Sequence, residues 1–404
     1  MSQSLPVSAN HPPATDAIQS EPRYAYHRLM RRDPNYRWWR PLAVGSTSLG
    51  FFLILTIGVV VAMLVVVLLN PTLWEDPDSM SSFEDVENIN MADPTEFIIT
   101  MLSLIIIIPA CFFGYLLLGP KPVGLLLSVT GKLRMKWLGI STLAALILYT
   151  LYFGGLVLLE QTGVIAATEV PAESIPASPL LMILLVLLLV PFQAAAEEYL
   201  FRGMLMQIIG SWLKHPLFAI LLPVPLFVIG HLYDLYGQVD VAVFAIAAGY
   251  LTWRTGGLEA AIGLHTVNNV VLFIFGSVGL MDLNAEGSSL SSLISSVVLT
   301  GVTTLILLQL AKRFKIERTA GPAPLPPQPH YLVPWPAPQQ LTHPPYGYYP
   351  PAQQQTPSAP HPTGAYWNPP PGYQQPTGPT QPPADPTTET DTDRDSDPHR
   401  PTQG

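Results

Sequence analysis

The sequence predicts an all-α fold, a polytopic membrane helix bundle of about eight transmembrane helices with a disordered Pro-rich C-terminal tail. Three observations carry this. The 404 residues are 49% hydrophobic and only 12% charged, about half the charged fraction of a soluble chain. The apolar residues fall in blocks such as 51–69, 98–118 and 180–190, close to the run of about 20 that crosses a bilayer. Most of the 44 prolines lie outside those blocks, which separates a membrane part from a tail.

The elements follow in order. Residues 1–45 form a polar segment that is basic near the membrane (Arg28, Arg31, Arg32, Arg37, Arg40), with Trp38 and Trp39 beside the first span as an interface anchor. The first apolar block sits too far in and is too long for a cleavable signal peptide. Eight spans are expected, at roughly 47–69, 97–118, 137–158, 179–200, 216–234, 239–254, 258–277 and 289–311.

The loops between them alternate in charge. Loop 70–96 carries acids from Glu75 to Glu96 and no Lys or Arg, loop 119–136 is basic (Lys121, Lys132, Arg134, Lys136), and loop 159–178 has only acids (Glu160, Glu169, Glu173). Asp282 and Glu286 precede the last span, and Lys312, Arg313, Lys315 and Arg318 close it. Lys and Arg are retained on the cytoplasmic side. The alternation therefore predicts a multi-pass protein of the cell membrane with both termini cytoplasmic.

The domain reading is a cytoplasmic basic segment (1–45), a transmembrane helical domain (46–318) with a core at about 135–280, and a tail (319–404). The tail, rich in Pro, Gln, Thr and Tyr, has too few aliphatic residues to build a core and is expected to be disordered with polyproline II character. A docking segment for a partner that binds Pro motifs is the alternative reading of it. The single cysteine, Cys111, lies in an apolar run. It permits no internal disulfide and no multi-cysteine metal site, and is read as packing.

An ionisable side chain in hydrocarbon costs several kcal/mol, so it needs a partner and usually a purpose. Of the 9 His, only His231 and His265 fall within spans. The clearest intramembrane acids are Glu197 and Glu198, with Glu259 near a span end. Three local patterns hold this inventory. Glu198 and Arg202 are four apart on one helical face, acid first, the favoured orientation for an ion pair. Glu197 points about 100° away, free to face a cavity. Phe227 and His231 are again four apart, so the ring can wedge the imidazole. His265 and Asn269 share a face, where both can donate to one oxygen.

Spacing links the first two patterns. Glu197 lies 17 residues before Lys214 (214 − 197) and His231 lies 17 after it (231 − 214), which sets them at one depth if the chain turns there. For His265 the turn at Gly256-Gly257 gives a shallower depth, which calls for a tilted or irregular helix.

Glu-Glu-x-x-x-Arg at 197–202, Phe-x-x-x-His at 227–231 and His-x-x-x-Asn at 265–269, in this order on successive spans, resemble the CAAX-protease and bacteriocin-processing family (CPBP; Abi, type II CAAX prenyl endopeptidase). The resemblance covers roughly residues 135–280. It implies an intramembrane endopeptidase. Glu197 with His231 would activate the attacking water, His265 and Asn269 would stabilise the oxyanion, and Glu198 and Arg202 would support the site. Family members are described both as metalloproteases and as metal-free glutamate enzymes. A divalent ion such as zinc on Glu197, His231 and His265 stays open. No His-Glu-x-x-His pattern is present, and metal-free chemistry is the expectation.

The partners expected are a peptide or protein substrate and the lipid bilayer, with no nucleic acid. A prenylated substrate is not implied. Two readings from other classes stand beside this one: a non-catalytic membrane scaffold or immunity-type protein acting through its tail, and a proton-coupled transporter, since intramembrane Glu and His also make proton relays.

Overall fold

The structure, a computed structural model, describes residues 22–69, 90–166, 169–284 and 287–324. The chain divides into two units, 1–329 and 330–404, and every described residue belongs to the first. The acidic stretch 70–89 and the expectations of a disordered or docking tail over 325–404 fall outside the described residues.

The described part is helical. Its long elements are α1 (Arg40–Leu69), α2 (Pro94–Ile105), α3 (Ile107–Leu118), α4 (Met135–Gln161), α5 (Pro179–Glu198), α6 (Met206–Trp212), α7 (Pro216–Leu221), α8 (Val224–Ile229), α9 (Leu235–Thr255), α10 (Glu259–Ser277) and α11 (Leu290–Arg313). Helices α2 and α3 form one span, bent at Ile106. Pro109, which has no N–H to give the Ile105 carbonyl, accounts for the bend. Helix α5 runs through a π-helical turn (Tyr199–Leu205) into α6 as one rod from Pro179 to Trp212. Among the described residues, seven helices are long and apolar enough to cross a membrane.

The fifth of the eight expected spans, 216–234, differs in form. It is two six-residue helices, α7 and α8, followed by a non-helical stretch at 230–234. Pro223 and Pro225 lack N–H groups and prevent a continuous helix. The segment nevertheless carries the chain from one end of the bundle to the other. At its start, α7 follows directly on Trp212, whose indole N–H donates to the Trp38 carbonyl at 2.8 Å. At its finish, Asp234 accepts from Ser288 N at 3.0 Å, next to the start of α11. A residue of helix advances the chain 1.5 Å and an extended one about 3.3 Å, so partial unwinding lengthens the reach of a short segment.

Both ends of the described chain meet at the Trp212 end. Strand β1 (Tyr24–Ala25) pairs antiparallel with β2 (Thr319–Ala320). Between β1 and α1, a 3-10 turn over Tyr26–Arg32 packs on α6. Residues 24–32, expected to lie outside the bundle, are thus part of its core: Tyr26 and Leu29 are buried, and the Tyr26 hydroxyl donates to the Leu126 carbonyl. The arginines of the segment meet free carbonyls. Arg28 donates to Gly210 O at 2.8 Å and Arg31 to Ser211 O at 2.6 Å, at the C-terminal end of α6, where a helix leaves its carbonyls unpaired. Thr319 and Ala320, assigned to the tail by composition, belong to this cap.

Helix α10 is the centre of the bundle, packed on α4 and α5. Its start is recessed inside protein. Gly256 ends α9 with φ +70°, a left-handed conformation that favours glycine. Residues 127–129 then pair with 256–258, Val129 N to Gly256 O at 2.8 Å and Leu258 N to Leu127 O at 2.9 Å. Arg134 grips the fully buried Glu259 through Nε at 2.8 Å and Nη2 at 2.6 Å.

The cap on α6 gives a direct test. A Cβ on Gly210 would run into the His27 carbonyl. Gly210→Ala is expected to cost about 1–3 kcal/mol of stability, the usual range for overpacking, read as a lower unfolding midpoint in detergent, while Gly58→Ala, at a glycine with nothing within 4 Å, leaves the midpoint unchanged.

Candidate functional site

The three motifs are brought to one place by α5, the π turn, α8 and α10. Pro191, inside α5, withholds its N–H from the Leu187 carbonyl, and the π turn begins directly after Glu198. The two glutamates therefore sit between two irregularities of one long rod. Such π segments recur at functional sites because they re-aim side chains without ending the helix.

Glu198 is 0% exposed. Its Oε1 accepts two hydrogen bonds, from Arg202 Nη1 at 2.9 Å and from His265 Nδ1 at 2.8 Å. The spacing argument paired Glu198 with Arg202; the structure adds His265 as a second donor to the same oxygen. Arg202 in turn lies over the Phe227 ring, 4.2 Å from its centroid, a cation–π contact in a desolvated setting.

Glu197 points into a different set of contacts. Its Oε1 accepts from Gln193 Nε2 at 2.7 Å, and its Oε2 faces His265 Nε2 at 3.6 Å and has no hydrogen-bond partner among the described residues. Asn269, on the same face of α10 as His265, donates from Nδ2 to Gln193 Oε1 at 3.1 Å and accepts from Asn268 Nδ2 at 3.0 Å. His231 is half-buried in the 230–234 stretch, and its Nδ1 lies 2.8 Å from the Phe227 carbonyl. Its ring centroid is 4.7 Å from that of Phe227, which is also 6.3 Å from the His265 ring. Phe227 thus stands between the two imidazoles and Arg202. His231 makes no ion pair with Glu197 among the described residues; His265 is the imidazole beside that acid.

These partners set the protons on both rings. A carbonyl oxygen only accepts, so His231 Nδ1 carries the hydrogen, and in the neutral ring Nε2 is left as an acceptor. His265 Nδ1 meets the Glu198 carboxylate, which only accepts, so Nδ1 carries the hydrogen; Nε2 lies 3.6 Å from Glu197 Oε2, beyond hydrogen-bond reach. The arrangement can offer the Nε2 atoms of two imidazoles and a carboxylate oxygen, Glu197 Oε2, with no hydrogen-bond partner among the described residues.

The Gly256-Gly257 turn is buried rather than at a surface, and His265 follows Glu259, at the start of α10, by six positions (265 − 259). Asp234 holds the neighbouring linker in place. Backbone N–H donors from Ser288 and Gly237 hold its carboxyl below the ordinary carboxylate range. This anchor is present above the ordinary carboxylate range and is lost as pH falls through the lowered value.

Gln193 was passed over in the sequence because it has no charge. The signal that could have found it is the same four-residue spacing, here to Glu197. Among the described residues no group of three or more His, Cys, Asp or Glu side chains is placed to hold a metal ion; His231 and His265 each engage Nδ1 with an oxygen, which leaves Nε2 of each ring as the nitrogen a metal would take.

Residues 176–271 match the family model described as Type II CAAX prenyl endopeptidase Rce1-like, a stretch that contains all six candidate residues. The uncharacterized protein YyaK of Bacillus subtilis (strain 168) is 26% identical over 250 residues, 60% of this chain and 79% of that protein. No solved structure matches.

The Glu198 arrangement predicts a non-additive cycle. Arg202→Met strands a buried carboxylate and is expected to cost about 3–5 kcal/mol of stability. Adding Glu198→Gln to Arg202→Met recovers most of that loss. Unfolding midpoints of the single and double variants in detergent give the comparison, and additive losses contradict the shared-oxygen geometry.

Proposed function

We propose that the chain is an intramembrane endopeptidase acting through Glu197, His231, His265 and Asn269, a reading supported by the match of residues 176–271 to the Type II CAAX prenyl endopeptidase Rce1-like family model and by the multi-pass helical fold. The observation that carries the mechanism is the approach of His265 Nε2 to Glu197 Oε2 at 3.6 Å, with Asn269 on the same face of α10 as His265.

In this reading a water is held by Glu197 Oε2 and His231 Nε2. Glu197 takes its proton as the oxygen adds to the peptide carbonyl carbon, and later delivers that proton to the departing amine, as general acid–base catalysis requires. The carbonyl becomes an oxyanion. His265, through Nε2–H, and Asn269, through the N–H not given to Gln193, donate to it. This role for His265 requires a hydrogen on its Nε2. Glu198 and Arg202 act through His265, orienting its ring as a carboxylate orients the histidine of a catalytic triad.

No step passes through a metal. The basic end of the bundle, where both ends of the described chain meet, is assigned to the cytoplasm on the retention of Lys and Arg there.

The test is cleavage of a single-span reporter peptide by purified protein in lipid. Glu197→Gln is expected to lower kcat by about 10²–10⁴-fold and Asn269→Ala by about 10²–10³-fold, with chelators leaving the wild-type rate unchanged. Wild-type rates in Glu197→Gln contradict the assignment of the base, and activity restored only by added zinc contradicts the metal-free route.

A further inference from the structure

Glu197 and Asn269 stand on different helices and have different jobs in the proposed reaction, yet one side chain touches both. Gln193 lies one turn before Glu197 on α5 and is buried. Its Nε2 donates to Glu197 Oε1 at 2.7 Å, and its Oε1 accepts from Asn269 Nδ2 at 3.1 Å. Asn269 Oδ1 accepts in turn from Asn268 Nδ2 at 3.0 Å. Three hydrogen bonds therefore run in one direction, from Asn268 through Asn269 and Gln193 to Glu197.

The direction is fixed at the carboxylate. An ionised Glu197 can only accept, so the NH2 end of Gln193 must face it and the carbonyl end must face away. The outward carbonyl needs a donor, so the NH2 end of Asn269 turns toward it. The Asn269 carbonyl is thereby turned away and met by Asn268. A primary amide has two N–H groups, and Asn269 spends only one on Gln193. Its second N–H is left over, on an amide whose flip is forbidden by the rest of the chain.

We propose that Gln193 is a positioning residue with two effects on the reaction, an inference that rests on the proposed endopeptidase reading. It occupies Glu197 Oε1, which directs the water's proton to Oε2, the oxygen that faces His265 and has no hydrogen-bond partner among the described residues. It also fixes the amide of Asn269 so that a donor, and not the carbonyl oxygen, meets the oxyanion. Base and oxyanion donor are set by one side chain. The other groups near Glu197 leave this intact: His265 from α10 approaches Oε2, Glu198 and Arg202 bond to each other, and Tyr233 in the 230–234 stretch lies within electrostatic range of Glu197.

The experiment compares wild type, Gln193→Met, Asn269→Ala and the double variant in the reporter-cleavage assay, with unfolding midpoints measured alongside. Gln193→Met keeps the length of the side chain and removes both hydrogen bonds. It is expected to lower kcat by about 10–100-fold, the usual effect of losing a residue that orients a catalytic group, with KM within about threefold because no substrate contact is lost. The double variant is expected to fall below Asn269→Ala by less than Gln193→Met falls below wild type, since the share of the loss that runs through Asn269 is already gone. Gln193→Leu also removes both hydrogen bonds and is expected to show the same loss in kcat should the Met variant fail to fold. Wild-type kcat in either folded variant, or losses that multiply in the double variant, overturns the positioning role while leaving the endopeptidase reading in place. Cleavage that survives Glu197→Gln overturns both.

Discussion

One oxygen atom organises the site. Glu198 Oε1, sealed from solvent, accepts from Arg202 and from His265. A carboxylate buried this fully is tolerated only with such partners, and removing either leaves a costly unpaired group. The two donors come from different elements, the π turn and α10, so the bond pair ties them together. Through Arg202 the tie reaches Phe227, and through the Phe227 carbonyl it reaches His231. Three segments far apart in sequence are thus referenced to one acid that itself does no chemistry in the proposed reaction. The adjacent acid, Glu197, is left with an oxygen that has no hydrogen-bond partner among the described residues.

The other end of that tie rests on how α10 begins. The backbone pairing of 127–129 with 256–258, the left-handed Gly256 and the Arg134 grip on Glu259 fix the start of α10 inside protein, and His265 follows less than two turns later. The loop before α4 thus helps to hold the helix that carries His265.

Much of this was legible in sequence, for physical reasons. Apolar blocks and alternating loop charge reflect transfer to lipid, which acts residue by residue and leaves its mark in composition. The i, i+4 pairs reflect helix geometry, which is local. The rest depends on partners distant in sequence. Nothing local in 197–205 announces a π turn, and nothing near Gly256 says that the turn is covered by another loop. The broken form of the fifth crossing was visible in Pro223 and Pro225 and could have been read. Residues 24–32 looked like a polar leader because their arginines are paired with helix-end carbonyls that sequence does not reveal. Gln193 was missed because a search for charge overlooks an amide whose value lies in having both a donor and an acceptor.

The proposed chemistry follows from which way the two imidazoles point, and that in turn from what each has been given to bond. The most direct measurement is the protonation of the His265 ring, by nitrogen NMR of histidine-labelled protein in lipid, with the signal assigned by its absence in His265→Gln. A protonated Nδ1 in the wild type, altered by Glu198→Gln, is the expected result. A wild-type His265 with an unprotonated Nδ1, unchanged by Glu198→Gln, would contradict it.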